Sequence, residues 1–326
     1  MAHYLLPGAA GFIGARVAEF LLGDGHQVIG VDNLNDAYDV RLKEWRLESL
    51  ERYPGFVFHK LDIADGEALN NLVEKSGSYD AVINMAARAG VRQSVANPRE
   101  YVDTNIVGTL NLLELCRHHG ITKFILASTS SIYGADAPLP TPEGAESSLP
   151  LQPYAATKKA AEAMCHAYHY LFDIDVTILR YFTVYGPAGR PDMVVFRFVQ
   201  RIYEDQPVTV YGDGEQSRGL TYVDDIARGT ILGLQRMGYE IINLGGHEVV
   251  KINDLVKKLE RLIGRKAEVE YQALHPADMM ANWAQVDKAG QLLGWEPSVS
   301  LEEGLKATID WYISEREWAC QVDTSA

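Results

Sequence analysis

The sequence has few cysteines, no long apolar run and fewer basic than acidic residues. Its three cysteines, Cys116, Cys165 and Cys320, have neither metal-ligand nor redox spacing, which predicts reduced thiols in a cytoplasmic protein. The N-terminus lacks a basic leader, and no apolar stretch approaches the roughly 20 residues of a membrane helix. We therefore expect a cytoplasmic protein with no signal peptide and no membrane span.

The acidic balance of the chain limits its partners. The 30 lysines and arginines are outnumbered by 44 aspartates and glutamates, which gives a formal net charge of −14. This charge disfavours nonspecific binding to nucleic acid or to an anionic membrane. An anionic small molecule remains compatible, because local arginines override the global sign. His118, His119, His166 and His169 lack a carboxylate-rich context, so we predict no metal site.

Strand-like and helix-like patterns alternate through the first two thirds of the 326 residues. Short apolar strands in such an alternation predict an α/β protein with a Rossmann-type doubly wound parallel sheet and a smaller C-terminal α/β lobe. The predicted strands lie at 4–6, 27–31, 57–60, 81–84, 124–127, 175–180 and 240–243. The predicted helices lie at 14–22, 67–75, 99–118 and 154–172.

Three glycines, Gly8, Gly11 and Gly14, follow the first predicted strand and open a helix. Glycines permit a tight turn and let the backbone approach a pyrophosphate at the helix N-terminus. The spacing is G-x-x-G-x-x-G and not the commoner G-x-G-x-x-G, and a turn needed only for packing is the alternative. Together with Phe12 and Ile13, these glycines are candidate dinucleotide-binding residues.

The second predicted strand leads to Asp32, where a carboxylate can bond both hydroxyls of an adenosine ribose. The same carboxylate repels a 2′-phosphate, and the next residue supplies no positive charge, so NAD is favoured over NADP. An ordinary cap at a strand end is the alternative. Further candidates for cofactor contacts follow this strand and the next two: Asn33, Asn35, Asp62, Ile63, Ala86 and Ala87.

The pattern changes after Gly186, because residues 186–220 are rich in proline, glycine and charge and predict a loop-and-helix insertion. The tail carries a predicted helix, strand and helix at 252–263, 267–271 and 301–315. We expect residues 1–185 to form an NAD-binding domain to which residues 221–246 return. Residues 186–220 and 247–326 would form the substrate-binding lobe.

A second motif, Tyr154-Ala-Ala-Thr-Lys158, begins a helix after a proline-rich loop. Residues four apart share a helix face, so the phenol and the ammonium can point into one site. Lys158 and the positive nicotinamide ring would lower the pKa of the tyrosine, which could then take a proton from a sugar hydroxyl while hydride leaves the same carbon. A hydroxyl from residues 128–131 could bridge the substrate and Tyr154. Chance occurrence of Tyr-x-x-x-Lys and a simple capping loop are the alternatives.

These motifs resemble those of the extended short-chain dehydrogenase/reductase family, and within it the nucleotide-sugar epimerases. Residues 180–187, 221–225 and 292–297 extend the resemblance over nearly the whole chain. The subgroup that the sequence is most similar to is the UDP-glucuronate 4-epimerases, on residues 32–39, 89–92 and 182–193. The resemblance implies an isomerase that binds a UDP-sugar and holds NAD tightly without consuming it.

By this resemblance, Thr129 is the bridging hydroxyl, Tyr154 the base and Lys158 its partner, and Tyr181 contacts the cofactor. Tyr211 would line the uracil pocket, Arg218 would meet the diphosphate and Asp278 the UDP ribose; the other substrate candidates are Ser130, Ser131, Thr183, Arg190 and Thr209. Three positions depart from the family. Pro7 stands where threonine is usual, Gly219 replaces an aspartate, and His275 falls where some UDP-galactose epimerases place an arginine.

A 4-keto sugar has three fates: reduction on its other face, loss of water, or loss of CO₂ when C6 is a carboxylate. Related dehydratases carry Asp-Glu where this chain has Ser130-Ser131, and related decarboxylases carry Glu at the second position, so the neutral residues argue against both. Thr183, Ser130, Ser131 and Arg190 are the candidate clamp that keeps the carboxylate away from the geometry of decarboxylation. A loop salt bridge is the alternative for Arg190.

The sequence therefore predicts 4-epimerisation of UDP-glucuronate to UDP-galacturonate. The alternatives are a 4-epimerase of UDP-glucose/UDP-galactose or of a UDP-N-acetylhexosamine, a UDP-glucuronate decarboxylase, a net dehydrogenase and a catalytically silent NAD-binding sensor. The predicted helices at 99–118 and 154–172 carry apolar faces. In the family that the chain resembles, such helices pair into a four-helix bundle, so we expect a homodimer; burial within the monomer is the alternative.

Overall fold

The computed structural model describes residues 1–246, 248–273 and 279–324. The strands of these residues are β1 (His3–Pro7), β2 (Gln27–Asp32), β3 (Phe56–Lys60), β4 (Ala81–Asn84), β5 (Lys123–Thr129), β6 (Asp175–Tyr181), β7 (Thr183–Tyr185), β8 (Val208–Tyr211), β9 (Ser217–Tyr222), β10 (Tyr239–Leu244), β11 (Glu248–Lys251), β12 (Val269–Gln272) and β13 (Ala281–Asn282). Within them no helix is both long and apolar enough to cross a membrane.

The helices surround the strands in an alternating order. They are α1 (Phe12–Gly23), α2 (Arg41–Leu50), α3 (Gly66–Ser76), α4 (Val91–Ala96), α5 (Pro98–Tyr101), α6 (Gly108–His119), α7 (Pro153–Phe172), α8 (Val194–Tyr203), α9 (Val223–Leu232), α10 (Ile252–Ile263), α11 (Asp287–Leu293), α12 (Leu301–Ser314) and α13 (Arg316–Ala319). A π-helical turn (Val102–Val107) joins α5 to α6, and a 3₁₀ turn (Ser130–Tyr133) follows β5.

A seven-stranded parallel sheet in the order β10-β6-β5-β4-β1-β2-β3 forms the centre of the molecule. Every residue of β4, β5 and β6 is buried, as expected for strands covered by helices on both faces. The predicted Rossmann-type sheet is confirmed. The strand order reverses between β1 and β4, so a crevice opens at the carboxyl ends of these strands, where ligands bind in such sheets.

A second hydrophobic core lies among α8, α10 and α12, with Phe198, Leu255 and Leu305 among its buried residues. The smaller sheets border this core: β9 pairs with β7, β11 and β13, and β8 pairs with β12. Between β9 and β11 the chain returns to the main sheet: α9 packs on α1, and β10 completes the sheet beside β6. Ala127 and Tyr181, from the core against the main sheet, and Phe198, from the second core, all line this crevice, so both cores face it.

Two predictions of local structure were wrong. The helix predicted at 99–118 is interrupted by the π-helical turn, where the buried side chain of Asn105 bonds both the N–H and the carbonyl of Arg88, at 2.9 and 3.0 Å. These bonds link the turn to the segment after β4, and π-helical turns are frequent at functional sites. Residues 186–220, predicted to contain only loops and a helix, also contain β8 and part of β9, which are short strands stabilised by pairing with distant segments.

Candidate active site

A cavity of about 580 Å³ opens at the carboxyl edge of the main sheet. Every residue predicted to bind cofactor or substrate lines it, except Asp278, which lies outside the described residues. The glycine turn and the ends of β2 and β3 line one part of its wall. Residues of α8, β8 and β9 line another, and Thr129, Tyr154 and Lys158 lie in the same cavity. The arrangement brings a nucleotide-binding turn and acid–base groups into one continuous space.

The glycine turn has no room for side chains. Gly8 has a φ of +84°, and a Cβ atom there would stand 2.6 Å from the backbone nitrogen of Ala86. A Cβ atom on Gly14 would stand 2.1 Å from the carbonyl oxygen of Gly8. Gly11 caps α1, so the backbone N–H groups of its first turn face the cavity side of the sheet. This close-packed cradle fits the pyrophosphate of a dinucleotide.

Asp32 lies at the end of β2 beside a cation that the sequence did not reveal. Its Oδ1 accepts the backbone N–H of Leu34 at 2.9 Å and lies 3.5 Å from Nζ of Lys43. Lys43 is 5 % exposed, lines the cavity and also donates to Oδ1 of Asn35 at 3.2 Å. The carboxylate still fits ribose hydroxyls, and Lys43 helps to fix its position.

Tyr154 and Lys158 point into the cavity from the first turns of α7. Burial raises the pKa of Tyr154, while a hydrogen bond with the Thr129 hydroxyl and the charge of Arg190 act in the lowering direction. Burial lowers the pKa of Lys158 to about 8. From the sequence, Lys158 was expected to be the residue that lowers the pKa of the tyrosine; in the structure, Arg190 supplies such a charge.

The hydroxyl cluster after β5 is organised by Thr129. Its Oγ1 accepts the backbone N–H of Ser131 and donates to the hydroxyl of Ser131, both at 3.2 Å, and so caps the 3₁₀ turn. Ser130 accepts a hydrogen bond of 3.0 Å from the amide of Asn282. Thr129 therefore serves both as a cap and as a partner of Tyr154, and no carboxylate stands at 130 or 131.

A buried ion pair connects the two strands and the helix that carry these residues. Glu162, one turn after Lys158, accepts bonds from Nε and Nη2 of Arg180 at 3.0 and 2.8 Å and from Ser128 at 2.6 Å. Burial alone would raise the pKa of Glu162, but the bonds from Arg180 hold it below its ordinary value. The pair fixes α7 to the ends of β5 and β6.

We expect Arg180→Met to destabilise the protein by about 3–5 kcal/mol, because Glu162 would keep a buried charge without its buried counter-ion. Both side chains are 2 % exposed. Urea unfolding of the variant measures the loss. Arg316→Met, which removes an exposed ion pair with Glu204, is the control and should unfold almost like the wild-type protein. Equal urea midpoints for both variants would contradict this role of the pair.

The substrate loop, residues 186–193, places Arg190 in the cavity that Tyr154 also lines, beside an acidic neighbour. Nε and Nη2 of Arg190 bond Oδ1 and Oδ2 of Asp192 at 3.0 and 2.5 Å. These bonds leave Nη1 for a third acceptor. Burial lowers the pKa of Arg190, but Asp192 and other neighbours reverse this and raise it. Arg190 therefore has both the loop salt bridge and a place in the cavity wall.

Further arginines line the far end of the cavity. The guanidinium carbon of Arg92 lies 4.2 Å from the ring centre of Tyr211, and that of Arg197 lies 5.7 Å from it. Arg218 donates to the carbonyl of Met279 at 2.6 Å. Together they make this end positive despite the acidic chain, as a diphosphate requires.

Several cavity residues were given no role from the sequence: Lys43, Arg92, Arg197, Asn282 and Asp192. Asn105 was not singled out either, although its amide donates to Thr157 at 3.0 Å, between Tyr154 and Lys158 on α7. The basic residues offered one usable signal, since an acidic chain that binds a diphosphate needs local cations. Asn105 and Asn282 offered none, because only the fold brings them to the site.

The structure accounts for two of the three positions that depart from the family pattern. Pro7 ends β1, and its carbonyl still accepts the N–H of Met85 at 2.9 Å. Gly219 leaves no space for the usual aspartate, since a Cβ atom would stand 2.4 Å from Cα of Gly246. His275 lies outside the described residues.

The strand order, the glycine cradle and the Tyr154–Lys158 pair define a dinucleotide-dependent enzyme of the short-chain dehydrogenase/reductase class. The chain belongs to the NAD dependent epimerase/dehydratase family, whose model matches residues 4–245. The predicted family, fold and type of enzyme are thereby confirmed.

Individual proteins of this family are similar to the chain over nearly its whole length. The chain is 56 % identical to the UDP-glucuronate 4-epimerase of Thermodesulfobacterium geofontis, over 95 % of this chain and 96 % of that protein. It is 39 % identical to the UDP-glucuronic acid 4-epimerase of Bacillus cereus, crystallised with UDP-glucuronic acid and NAD, with a TM-score of 0.90 over 96 % of this chain and 99 % of that one. It is 33 % identical to the UDP-glucose 4-epimerase of Thermotoga maritima, crystallised with UDP-glucose, with a TM-score of 0.89 over 96 % and 99 %.

Proposed function

We propose that this chain catalyses the NAD-dependent 4-epimerisation of UDP-glucuronate to UDP-galacturonate. The observation that carries the proposal is one cavity that combines a glycine cradle, the Thr129–Tyr154–Lys158 group, an arginine at the reacting end and neutral residues at 130 and 131. The likeness to UDP-glucuronate 4-epimerases supports the same substrate. We propose further that the NAD-binding domain and the substrate lobe correspond to the two cores that face the cavity.

The glycine turn and Asp32 would hold NAD, which would supply reversible hydride transfer at C4 of the sugar without being consumed. Tyr154 takes the proton of the C4 hydroxyl and later gives it back, and Thr129 aligns the phenol through their hydrogen bond. Arg190 favours the ionised phenol by its charge, and Lys158, buried one helical turn away on α7, would add to this effect when protonated. Arg218, Tyr211 and Thr209 would hold the UDP group while the sugar turns over.

Arg190 would control the fate of the carboxylate. A 4-keto uronate loses CO₂ when its C5–carboxyl bond stands perpendicular to the ketone plane, and a guanidinium that holds the carboxylate away from this geometry prevents it. Nη1, which is not used by Asp192, is the donor available for this contact. Ser130, Ser131 and Thr183 would add hydroxyl donors, and none of them supplies the acid that dehydration requires.

Incubation of the purified protein with UDP-glucuronate, without added NAD, tests the proposal. Proton NMR of the products should show UDP-galacturonate accumulating to equilibrium. A UDP-pentose as the main product would instead support the decarboxylase, and turnover of UDP-glucose or a UDP-N-acetylhexosamine alone would support a neutral-sugar epimerase. Bound NAD with no turnover of any of these sugars would support the silent sensor.

We propose a homodimer that pairs α6 and α7 of each chain in a four-helix bundle. α7 presents an exposed row of small residues at helical spacing, Ala156, Ala163 and Ala167, and ends with Leu171, which is 65 % exposed. Tyr168 of α7 donates to Glu114 of α6, so the two helices form one continuous face. The free thiols of the described cysteines support the cytoplasmic location that we also propose.

We expect Ala163→Glu to convert this dimer to a monomer, because two copies of the new carboxylate would be buried across the two-fold axis. A cost of about 3 kcal/mol weakens association roughly a hundredfold. Analytical ultracentrifugation over a range of concentrations measures the change. Lys257→Glu, on the exposed face of α10, is the control. An unchanged dimer in the Ala163 variant would place the interface elsewhere.

A further inference from the structure

A buried arginine behind the cavity wall joins two segments of the site. Arg46, on α2, is 4 % exposed. Its Nη1 donates to the carbonyl of Ala10, inside the glycine turn, and to the hydroxyl of Tyr38, both at 2.9 Å. Its Nε and Nη2 donate to the carbonyl of Ala188 at 3.2 and 2.5 Å. One guanidinium thus connects the glycine turn with the substrate loop.

The loop residue that Arg46 contacts has an unusual backbone. Ala188 has a φ of +50°, in the left-handed region that a residue with a Cβ atom rarely adopts. A strained conformation of this kind persists where surrounding contacts determine it, and such residues cluster at ligand sites. Ala188 is 2 % exposed, and Arg46 takes its carbonyl with two donors. Arg46, on α2, therefore fixes the backbone of Ala188, two residues before Arg190.

The buried positive charge of Arg46 also bears on the binding of an anionic group nearby. Among the described residues its hydrogen-bond partners are two carbonyls and one hydroxyl, all of them neutral. A buried cation with neutral partners is favoured by an anion placed nearby. The glycine turn that Arg46 braces is the turn proposed to hold the pyrophosphate at the start of α1.

We propose that Arg46 is a positioning residue that couples the two halves of the site. It braces the glycine turn toward the NAD pyrophosphate and fixes the substrate loop, and through that loop it sets the place of Arg190. This inference rests on the proposed function, since it takes Arg190 to control whether the 4-keto uronate keeps its carboxylate.

Two variants at position 46 distinguish the effect of the positive charge from the effect of the hydrogen bonds that join the glycine turn to the substrate loop. Arg46→Met removes both, so we expect less NAD per purified chain and a decarboxylated fraction of the product raised about tenfold. Arg46→Lys keeps the charge but cannot reach the acceptors of both segments with a planar fork. It should retain NAD close to the wild-type amount while still leaking decarboxylated product. NAD is quantified by mass spectrometry of released small molecules, and the products by NMR.

The matched control is Arg41→Met. Arg41 lies on the same helix, and its side chain bonds Asp39 and Gln321 instead of the glycine turn or the substrate loop. This variant should match the wild-type protein in both NAD content and product ratio.

A third variant, Ala188→Gly, changes the substrate loop and leaves Arg46 in place. Glycine suits the left-handed backbone, so the variant should fold, but its wider range of conformations loosens the loop. We expect it to keep NAD and to raise the decarboxylated fraction, which separates loop placement from loss of stability.

The outcomes distinguish this inference from the proposed function. If the wild-type protein makes no UDP-galacturonate, the proposed function fails and the inference with it. If the wild-type protein epimerises but Arg46→Met matches Arg41→Met in NAD content and product ratio, only the inference is overturned. Should Arg46→Met fail to fold, Arg46→Lys and Ala188→Gly decide: wild-type product ratios in both overturn it.

Discussion

Tyr154→Phe should reduce the rate of epimerisation about a thousandfold while NAD stays bound. The variant lacks the hydroxyl that takes the C4 proton, but its ring still fills the same space beside Tyr101, whose ring centre lies 6.1 Å from that of Tyr154. The loss should therefore appear in kcat and not in the KM for the UDP-sugar. Steady-state kinetics with UDP-glucuronate, together with the NAD content of the purified variant, measures both effects.

Tyr168→Phe is the matched control for this change. Tyr168 lies on the same helix, and its hydroxyl donates to Glu114 on α6, away from the cavity wall. Its removal should leave kcat within about twofold of the wild-type value, since a single hydrogen bond of this kind contributes little to stability and none to the chemistry. A Tyr154 variant with kcat near that of the control would show that another group carries the proton.

Arg190→Ala should change the product and not only the rate. Without the guanidinium, the carboxylate of the 4-keto sugar is free to turn perpendicular to the ketone plane. The loss of a charge-assisted hydrogen bond worth about 1.5–3 kcal/mol predicts a rise of tenfold or more in the ratio of decarboxylated to epimerised product. NMR of the products of UDP-glucuronate measures this ratio directly.

Asp192→Asn distinguishes two roles of Arg190, the salt bridge within the loop and the contact with the substrate carboxylate. If Arg190 served only the loop salt bridge, breaking the pair from either side would give the same phenotype. If Arg190 holds the carboxylate, Asp192→Asn releases a second and third donor and should keep the low decarboxylation of the wild-type protein. Arg201→Ala, which removes a charge from α8 outside the cavity wall, controls for net charge. An unchanged product ratio in Arg190→Ala would refute the clamp.

The parts of this fold that the sequence predicted are those with local signals. Strands buried on both faces are short apolar runs, and the glycine turn and the Tyr154–Lys158 pair are encoded within a few residues. Lys43 and Arg46 were not predicted as site residues, because α2 has a weak periodic pattern and reaches the site only through tertiary packing. The π-helical turn and the bond that Asn105 makes to Arg88 were not predicted either, because no local pattern relates these two residues.

The residues of the site likewise divide into those that a local sequence signal identifies and those that only the fold brings together. Residue types at the ends of predicted strands identified one wall of the cavity, since parallel strands bring their carboxyl ends to one edge. The other wall comes from β8, β9 and α8, whose strands form by pairing with distant segments and were missed. For this reason Arg197 and Asn282 were recognised only in the structure, and the partnership of Arg190 with Asp192 could be suggested from the sequence but not decided.

In the proposed mechanism, hydride leaves C4 and returns to the same carbon within one cavity. UDP-glucuronate labelled with deuterium at C4, incubated in ordinary water without added NAD, tests this central claim most directly. We predict UDP-galacturonate that retains the deuterium at C4, observed by NMR and mass spectrometry. Product that has lost the label to solvent, or a UDP-pentose in its place, would contradict it.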